Sequence, residues 1–154
     1  MENVIFRTAG IDDVPDIVRM LSDDFLGERR EQYAEPLPDS YVRAFEEIDA
    51  DANNYLIVAE LDGRVVGTLQ LTFTPSMSFQ GGKRATVESV RVDQSVRGTG
   101  IGRKMMLWAI ELSKSNGCIS MQLTTNAERK DAQRFYLQLG FKASHVGMKL
   151  SLND

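Results

Sequence analysis

The sequence predicts a single α/β domain built on a mixed sheet with helices on both faces. The chain has 154 residues, of which 42% are hydrophobic and 26% charged, as in ordinary globular domains. After an early hairpin, strand-like and helix-like segments alternate, which favours a sheet covered on both sides. No repeat, low-complexity stretch or linker interrupts residues 1–154, so we expect one domain.

The first elements predicted are a strand and a helix. Val4–Thr8 can form a short strand. Asp12, Asp13 and Pro15 then open a helix, because acidic residues and proline favour a first helical turn. Its apolar side chains recur at helical spacing: Ile11, Val14, Ile17, Val18 and Leu21.

A second helix follows the polar, irregular segment Ser22–Pro38. Asp39 or Ser40 is expected to cap it, because short polar side chains accept hydrogen bonds from the first N–H groups of a helix. Its apolar side carries Tyr41, Phe45 and Ile48.

A hairpin is predicted next. Tyr55–Leu61 is a nearly continuous apolar strand, and Asp62-Gly63 is a strong two-residue turn into the strand Arg64–Thr74. The later segments are a loop at Pro75–Lys83, a strand at Arg84–Val92, a helix at Gly102–Ser115, a strand at Ile119–Thr124, a helix at Asp131–Leu139 and a last strand at Phe141–Leu152.

Composition narrows the function classes. The net charge of −4 argues against nonspecific nucleic-acid binding and against binding to anionic membranes. The single cysteine, Cys118, excludes an internal disulfide and favours a cytoplasmic protein. Neither a signal-peptide core nor a run of about 18 apolar residues is present, and no metal-ligand set is expected.

Residues 97–102 read Arg-Gly-Thr-Gly-Ile-Gly, between a strand-like run and a helical pattern. Glycines tolerate positive φ and let the backbone approach a ligand closely. The N–H groups and positive partial charge at a helix N-terminus favour an anion, above all a phosphate. A glycine-rich turn without a ligand is the alternative interpretation.

A second motif spans Asn126–Phe141, NAERKDAQRFYLQLGF. Its spacing places Ala132, Phe135, Tyr136 and Leu139 on one face of a helix that ends at a glycine. Taken alone, the motif favours an amphipathic helix that only packs.

Together the two motifs resemble those of the GNAT superfamily of acetyl-CoA-dependent N-acetyltransferases, over nearly the whole chain. Residues 97–102 match the motif Arg/Gln-x-x-Gly-x-Gly/Ala, and residues 135–141 match Phe-Tyr-x-x-Leu-Gly-Phe. The resemblance implies a mixed, mostly antiparallel central sheet. It also implies acetyl transfer from acetyl-CoA to a primary amine, by direct attack in a ternary complex.

The resemblance assigns cofactor contacts to particular residues. It implies that the pyrophosphate is held by the turn Arg97, Gly98, Thr99, Gly100, Ile101 and Gly102. The backbone of Val90 and Val92 would pair with the pantetheine arm, and Asn126 would contact the cofactor near its middle. Arg103 and Lys104 could add charge near the phosphates or simply face solvent.

Three residues are candidates for proton transfer. Tyr136 matches the family tyrosine beside the thioester sulfur, which contacts the cofactor and could protonate the leaving thiolate. Glu88 shares strand parity with Val90 and Val92, so we expect it on the same covered face, where lost solvation would favour a base. An arginine-paired carboxylate is the alternative. His145, in the predicted last strand, is a second candidate base, and the alternative is a polar strand residue without a catalytic role.

The acceptor is not defined by these patterns. Ser22–Asp51 carries ten acidic residues against three arginines, which could concentrate a cationic amine or could be a solvated surface. A small-molecule or protein amine is expected as acceptor, and the resemblance allows a homodimer. The alternative function is an acetyl-CoA-binding regulatory module without turnover.

Overall fold

The computed structural model describes residues 3–153, and its backbone divides into two units, Met1–Gln122 and Leu123–Asp154. The first unit holds one sheet in the order β1-β2-β3-β4-β5. Its strands are β1 (Val4–Thr8), β2 (Asn54–Leu61), β3 (Arg64–Thr74), β4 (Lys83–Val92) and β5 (Cys118–Gln122). Strands β1 to β4 are antiparallel neighbours, and β5 runs parallel to β4. The predicted mixed, mostly antiparallel sheet is therefore confirmed.

Within residues 3–153, six α-helical segments accompany the strands. They are α1 (Val14–Leu21), α2 (Gly27–Arg30), α3 (Asp39–Ala50), α4 (Ser78–Gly81), α5 (Ile101–Ser115) and, in the second unit, α6 (Lys130–Gln138). Short 3-10 turns precede α1 and α5. Within residues 3–153, no helix has the length and apolarity needed to cross a bilayer.

One face of the sheet carries α1 and α3. Val58 of β2 packs in a buried cluster with Ile17 and Val18 of α1 and Phe45 of α3. The predicted first helix is shorter than expected, since Ile11 lies in the preceding 3-10 turn and is about half exposed. The cap of α3 also differs, because Pro38 rather than Asp39 or Ser40 occupies the N-cap position.

The opposite face carries α5. A Cβ added to Gly67 of β3 would come within 3.4 Å of the Met105 sulfur, so this helix lies close against the sheet. Trp108 of α5 stacks on Phe6 of β1 with ring centroids 6.0 Å apart. The buried side of α5 also includes Ile101, Met106 and Ala109. This packing holds the N-terminus of α5 in a defined position.

The connections from β2 to β3 and from β3 to β4 both contain left-handed backbone. Asp62 and Gly63 have φ of 51° and 79°, as the predicted tight hairpin requires. The predicted loop at Pro75–Lys83 instead contains the turn α4, in which Phe79 and Gln80 are both left-handed. Since neither residue is a glycine, composition gave no signal for this turn.

The second unit contains α6, followed by the segment 141–153. Gly140, with φ of 102°, ends the helix as predicted. The predicted last strand, Phe141–Leu152, is wrong: residues 141–153 form neither helix nor strand. Alternation specifies which side chains share a face, whereas a strand also needs a neighbouring backbone to pair with.

Acid is expected to weaken the fold through Asp13. The Arg7 guanidinium donates to both Asp13 carboxylate oxygens at 2.7 and 3.0 Å and lowers the pKa of Asp13 below its ordinary value. Because the carboxylate is protonated more readily in the unfolded chain, its contribution is complete above about pH 5 and is lost as pH falls through the folded-state pKa.

We expect Asp13→Asn to cost about 1–2 kcal/mol at pH 7, as for a partly exposed charged hydrogen bond. Urea unfolding should show this difference shrinking towards pH 3. Asp12→Asn, at the exposed neighbouring position, is the matched control and should cost little. A cost for Asp13→Asn that does not vary with pH would contradict the assignment.

Candidate functional site

Strand β4 is bent by a bulge near its end. Gly67 and Thr68 of β3 pair with Val92 and Arg91, but the next paired residue of β3 is matched to Glu88, so β4 carries an extra residue. The extra residue is accommodated at Ser89, whose φ is 54°. A bulge of this kind turns the strand and interrupts pairing, and such features often lie beside functional sites.

The bulged end of β4 has an open edge. Pairing between β4 and β5 covers only Lys83–Thr86 of β4, so within residues 3–153 no strand lies beside residues 88–92 on that side. The Val90 carbonyl accepts a bond from Arg91 Nη1 at 2.9 Å, and the Val92 carbonyl accepts one from Arg97 Nε at 3.1 Å. An open strand edge of this kind can pair with an amide-bearing ligand.

The bulge places Val92 on the α5 side of the sheet. Val92 pairs with Gly67, which pairs with Ala59, and paired residues of antiparallel strands share a face. This row faces α5, since Gly67 approaches Met105. The end of β4 and the beginning of α5 therefore meet on one face.

Glu88 lies on the opposite face. It pairs with Gln70, which pairs with Leu56, and Leu56 packs against the cluster formed with α1 and α3. The prediction that Glu88 shares a covered face with Val90 and Val92 is wrong, because Ser89 breaks the alternation. Glu88 is exposed. No glycine or proline marks the bulge, so the sequence carried no signal for it.

The predicted glycine turn joins the end of β4 to α5. Gly98 and Gly100 have φ of 78° and 89°, which side chains with a Cβ rarely adopt. A Cβ built on either glycine would meet no protein atom within 4 Å, so the turn is open on that side. The Thr99 hydroxyl donates to the Val96 carbonyl at 2.5 Å and tightens the loop.

The beginning of α5 is suited to an anion. Its first hydrogen bond is donated by the Lys104 N–H to the Gly100 carbonyl, so the preceding N–H groups face out of the helix. The first turn has no acidic residue and contains Arg103 and Lys104, both exposed. Cations at a helix N-terminus are unfavourable by themselves, so an anion bound there would offset their charge.

In the second unit, aromatic contacts orient Tyr136. Its ring packs edge-on against Phe135 and Phe141, with centroids 5.2 and 5.8 Å away. Asn126 lies in the turn before α6, where its side-chain oxygen accepts the Glu128 N–H at 2.9 Å. The amide nitrogen of Asn126 is the part of that side chain suited to contact a carbonyl of a ligand.

His145 lies in the segment 141–153, where its Nδ1 is 2.7 Å from the Ser144 hydroxyl. It is exposed and not in a strand, which corrects the predicted placement. The backbone around His145 therefore does not support a role as general base.

The acidic segment has mixed surroundings. Asp23, Asp24 and Glu31 accept hydrogen bonds from Gln94, the Gly27 N–H and Tyr41, respectively. The other acidic side chains of Ser22–Asp51 are exposed: Glu28, Glu35, Asp39, Glu46, Glu47, Asp49 and Asp51. This arrangement agrees with the solvated-surface interpretation and supplies no cluster aimed at a ligand.

Comparison with known proteins adds an independent line of evidence. The model of the acetyltransferase (GNAT) family matches residues 18–141. A glucosamine 6-phosphate N-acetyltransferase from Trypanosoma brucei brucei is 34% identical over 58% of this chain and 59% of its own length. An aminoalkylphosphonate N-acetyltransferase from Salmonella typhimurium is 34% identical over 62% of this chain and 61% of its own length. The chain thus spans about three fifths of these curated relatives.

Among solved structures, a protein described as a transcriptional regulator from Bacillus halodurans C-125 is 53% identical to this chain. It superposes with a TM-score of 0.94 over 97% of this chain and all of its own. The fold is therefore shared with an experimentally determined structure along nearly the whole sequence.

Proposed function

Because the chain belongs to the acetyltransferase (GNAT) family, we propose that it transfers the acetyl group of acetyl-CoA to a primary amine. The observation that carries this proposal is the open, left-handed glycine turn between the unpaired edge of β4 and the first N–H groups of α5. Such a site offers several donors to a diphosphate and a strand edge to an amide-containing arm.

The residues present suit coenzyme A. The N–H groups of Arg97–Gly102 would hold the diphosphate, with Arg103 and Lys104 adding positive charge. The backbone of Val90 and Val92 would bind the pantetheine arm, and the Asn126 amide nitrogen would donate to one of its carbonyls.

Acetyl-CoA supplies the acetyl group as a thioester, which an amine can attack directly with release of the thiol. Glu88, although exposed on the face opposite Val92, would take a proton from the ammonium group of the acceptor, directly or through water, so that the neutral amine attacks the thioester; His145 is the second candidate for this step. Tyr136 would donate a proton to the leaving thiolate. Burial raises the pKa of the Cys118 thiol, which disfavours an acetyl-cysteine intermediate and supports a ternary complex.

The acceptor we propose is a small-molecule primary amine. The two curated relatives are named for glucosamine 6-phosphate and for aminoalkylphosphonates, which both combine an amine with a phosphorus oxyanion. An acceptor panel should therefore include amino sugar phosphates, aminoalkylphosphonates, polyamines and a lysine peptide. Thiol release with one class only would identify the acceptor chemistry.

With the best acceptor of that panel, Glu88→Gln is expected to lower kcat by about 10- to 100-fold near neutral pH, as for the loss of a general base. Glu111→Gln, at an exposed glutamate near the end of α5, is the matched control. His145→Gln tests the second candidate. Full activity of Glu88→Gln together with loss in His145→Gln would transfer the role to His145.

The second candidate function is an acetyl-CoA-binding regulatory module. It is favoured by the description of the 53% identical structure as a transcriptional regulator. Calorimetry showing tight acetyl-CoA binding, with no acceptor of any class acetylated, would support this alternative. Turnover with any amine of the panel would contradict it.

We also propose a homodimer. The segment 141–153 exposes four apolar side chains at alternate positions: Val146, Met148, Leu150 and Leu152. They are 85–91% exposed, and a second copy of the chain would remove them from water. Sedimentation at micromolar concentration should give a dimer mass, and a monomer there would contradict the proposal.

A further inference from the structure

The link Asp93–Val96 connects the open edge of β4 to the glycine turn, so its path determines where that turn begins. The Asp93 N–H donates to the Val66 carbonyl of β3 at 2.8 Å. Gln94–Val96 then forms a 3-10 turn, closed by the bond from the Val96 N–H to the Asp93 carbonyl, and Val96 is buried. A displacement of this link would displace the glycine turn with it.

The Asp93 side chain organises the link. One carboxylate oxygen accepts both the Ser95 N–H at 2.9 Å and the Ser95 hydroxyl at 2.6 Å. The other accepts Arg19 Nη1 at 2.6 Å. Only 12% of the Asp93 side chain is exposed. The Ser95 donors, followed by Arg19, hold the pKa of Asp93 well below its ordinary value, so the carboxylate stays ionised.

Helix α1 holds the link Asp93–Val96 in place. Arg19 belongs to α1, and Asp23, just beyond that helix, accepts a hydrogen bond from Gln94 Nε2 at 2.9 Å. The helix itself is anchored by Ile17 and Val18, which are buried in the core. Two side-chain bonds thus tie a rigid helix to the four residues that precede the anion-binding turn.

We infer that Asp93, paired with Arg19, is a positioning residue that sets the glycine turn for the diphosphate of the acetyl donor. This inference rests on the proposed function. Asp93 does not contact the donor in this scheme. It acts through the 3-10 turn, while Arg19 neutralises a carboxylate that would otherwise repel an anion bound nearby.

The test compares two acetyl donors. Acetyl-CoA carries the diphosphate, whereas S-acetylpantetheine carries the same thioester without it. In Asp93→Ala and Arg19→Met, kcat/KM for acetyl-CoA is expected to fall about tenfold or more, and kcat/KM for S-acetylpantetheine to change less than twofold. Glu111→Gln, which breaks an exposed ion pair on α5, should leave both values unchanged.

The dependence of kcat/KM on ionic strength is a second measurement. A purely structural role of Arg19 would not change this dependence. Arg19→Met leaves the Asp93 carboxylate without its cationic partner. The decrease in kcat/KM for acetyl-CoA in this variant should therefore be smaller at high ionic strength, because salt screens the repulsion between Asp93 and the diphosphate. Asp93→Asn keeps a side-chain oxygen that can accept from Ser95 but removes the negative charge. It replaces Asp93→Ala in the test if Asp93→Ala does not fold.

The two proposals fail differently. Equal losses with both donors, or no loss with either, would overturn the role of Asp93. A wild-type chain that binds no coenzyme A in calorimetry would overturn the proposed function itself.

Discussion

Gly100→Ala is expected to raise the Kd for acetyl-CoA by roughly a hundredfold, a binding loss on the order of 3 kcal/mol. Gly100 is the N-cap of α5 and has φ of 89°, a left-handed conformation that costs residues with a Cβ about 1–2 kcal/mol. In Gly100→Ala, φ can stay left-handed at this cost, and the methyl group then occupies the open space beside the turn. Otherwise φ changes, and the N–H groups turn away from the diphosphate.

Gly63→Ala is the matched control for this substitution. Gly63 has φ of 79° in the hairpin turn, and its added Cβ would also meet nothing within 4 Å. The two variants should lose similar thermal stability, while only Gly100→Ala loses acetyl-CoA affinity in calorimetry. Equal affinities in both variants would show that the turn does not hold the donor.

Tyr136→Phe is expected to lower kcat about 100-fold and to leave the KM for acetyl-CoA within about twofold. The ring is oriented by edge-on contacts with Phe135 and Phe141, which phenylalanine would keep. Loss of the hydroxyl therefore removes the proton donor without moving the ring. A thiol-release assay at saturating acetyl-CoA measures the effect.

Tyr55→Phe serves as the control, because Tyr55 also packs against a phenylalanine, Phe73, with ring centroids 5.2 Å apart. It should retain wild-type kcat. If Tyr136→Phe were as active as Tyr55→Phe, Tyr136 would be only a packing residue and the thiolate would need another acid.

Some features could be predicted because they depend on neighbouring residues alone. The Asp62-Gly63 hairpin follows from two residues that tolerate left-handed backbone, and the end of α6 follows from Gly140. The glycine turn was identifiable for the same reason. Its neighbouring strand and helix were visible in the apolar pattern of the chain.

Other features depend on pairing partners far away in the sequence. Ser89 forms a bulge because β3 and β4 differ locally in residue number, and neither strand reveals this alone. The bulge moved Glu88 to the face of α1 and α3. Asp93 likewise depends on a distant partner, since the Arg19 side chain that donates to its carboxylate lies 74 positions earlier.

The sequence by itself therefore determined the sheet class, the helix N-terminus suited to an anion, and the family motifs that carry the proposed donor. Local conformational preference and side-chain periodicity are sufficient for the first two, whereas the donor is what the family resemblance implies. Only the tertiary structure decided the face on which Glu88 lies, the absence of a strand over residues 141–153, and the anchoring of the link at Asp93. Strand register and long-range hydrogen bonds decide such features, and both exist only when distant segments pair.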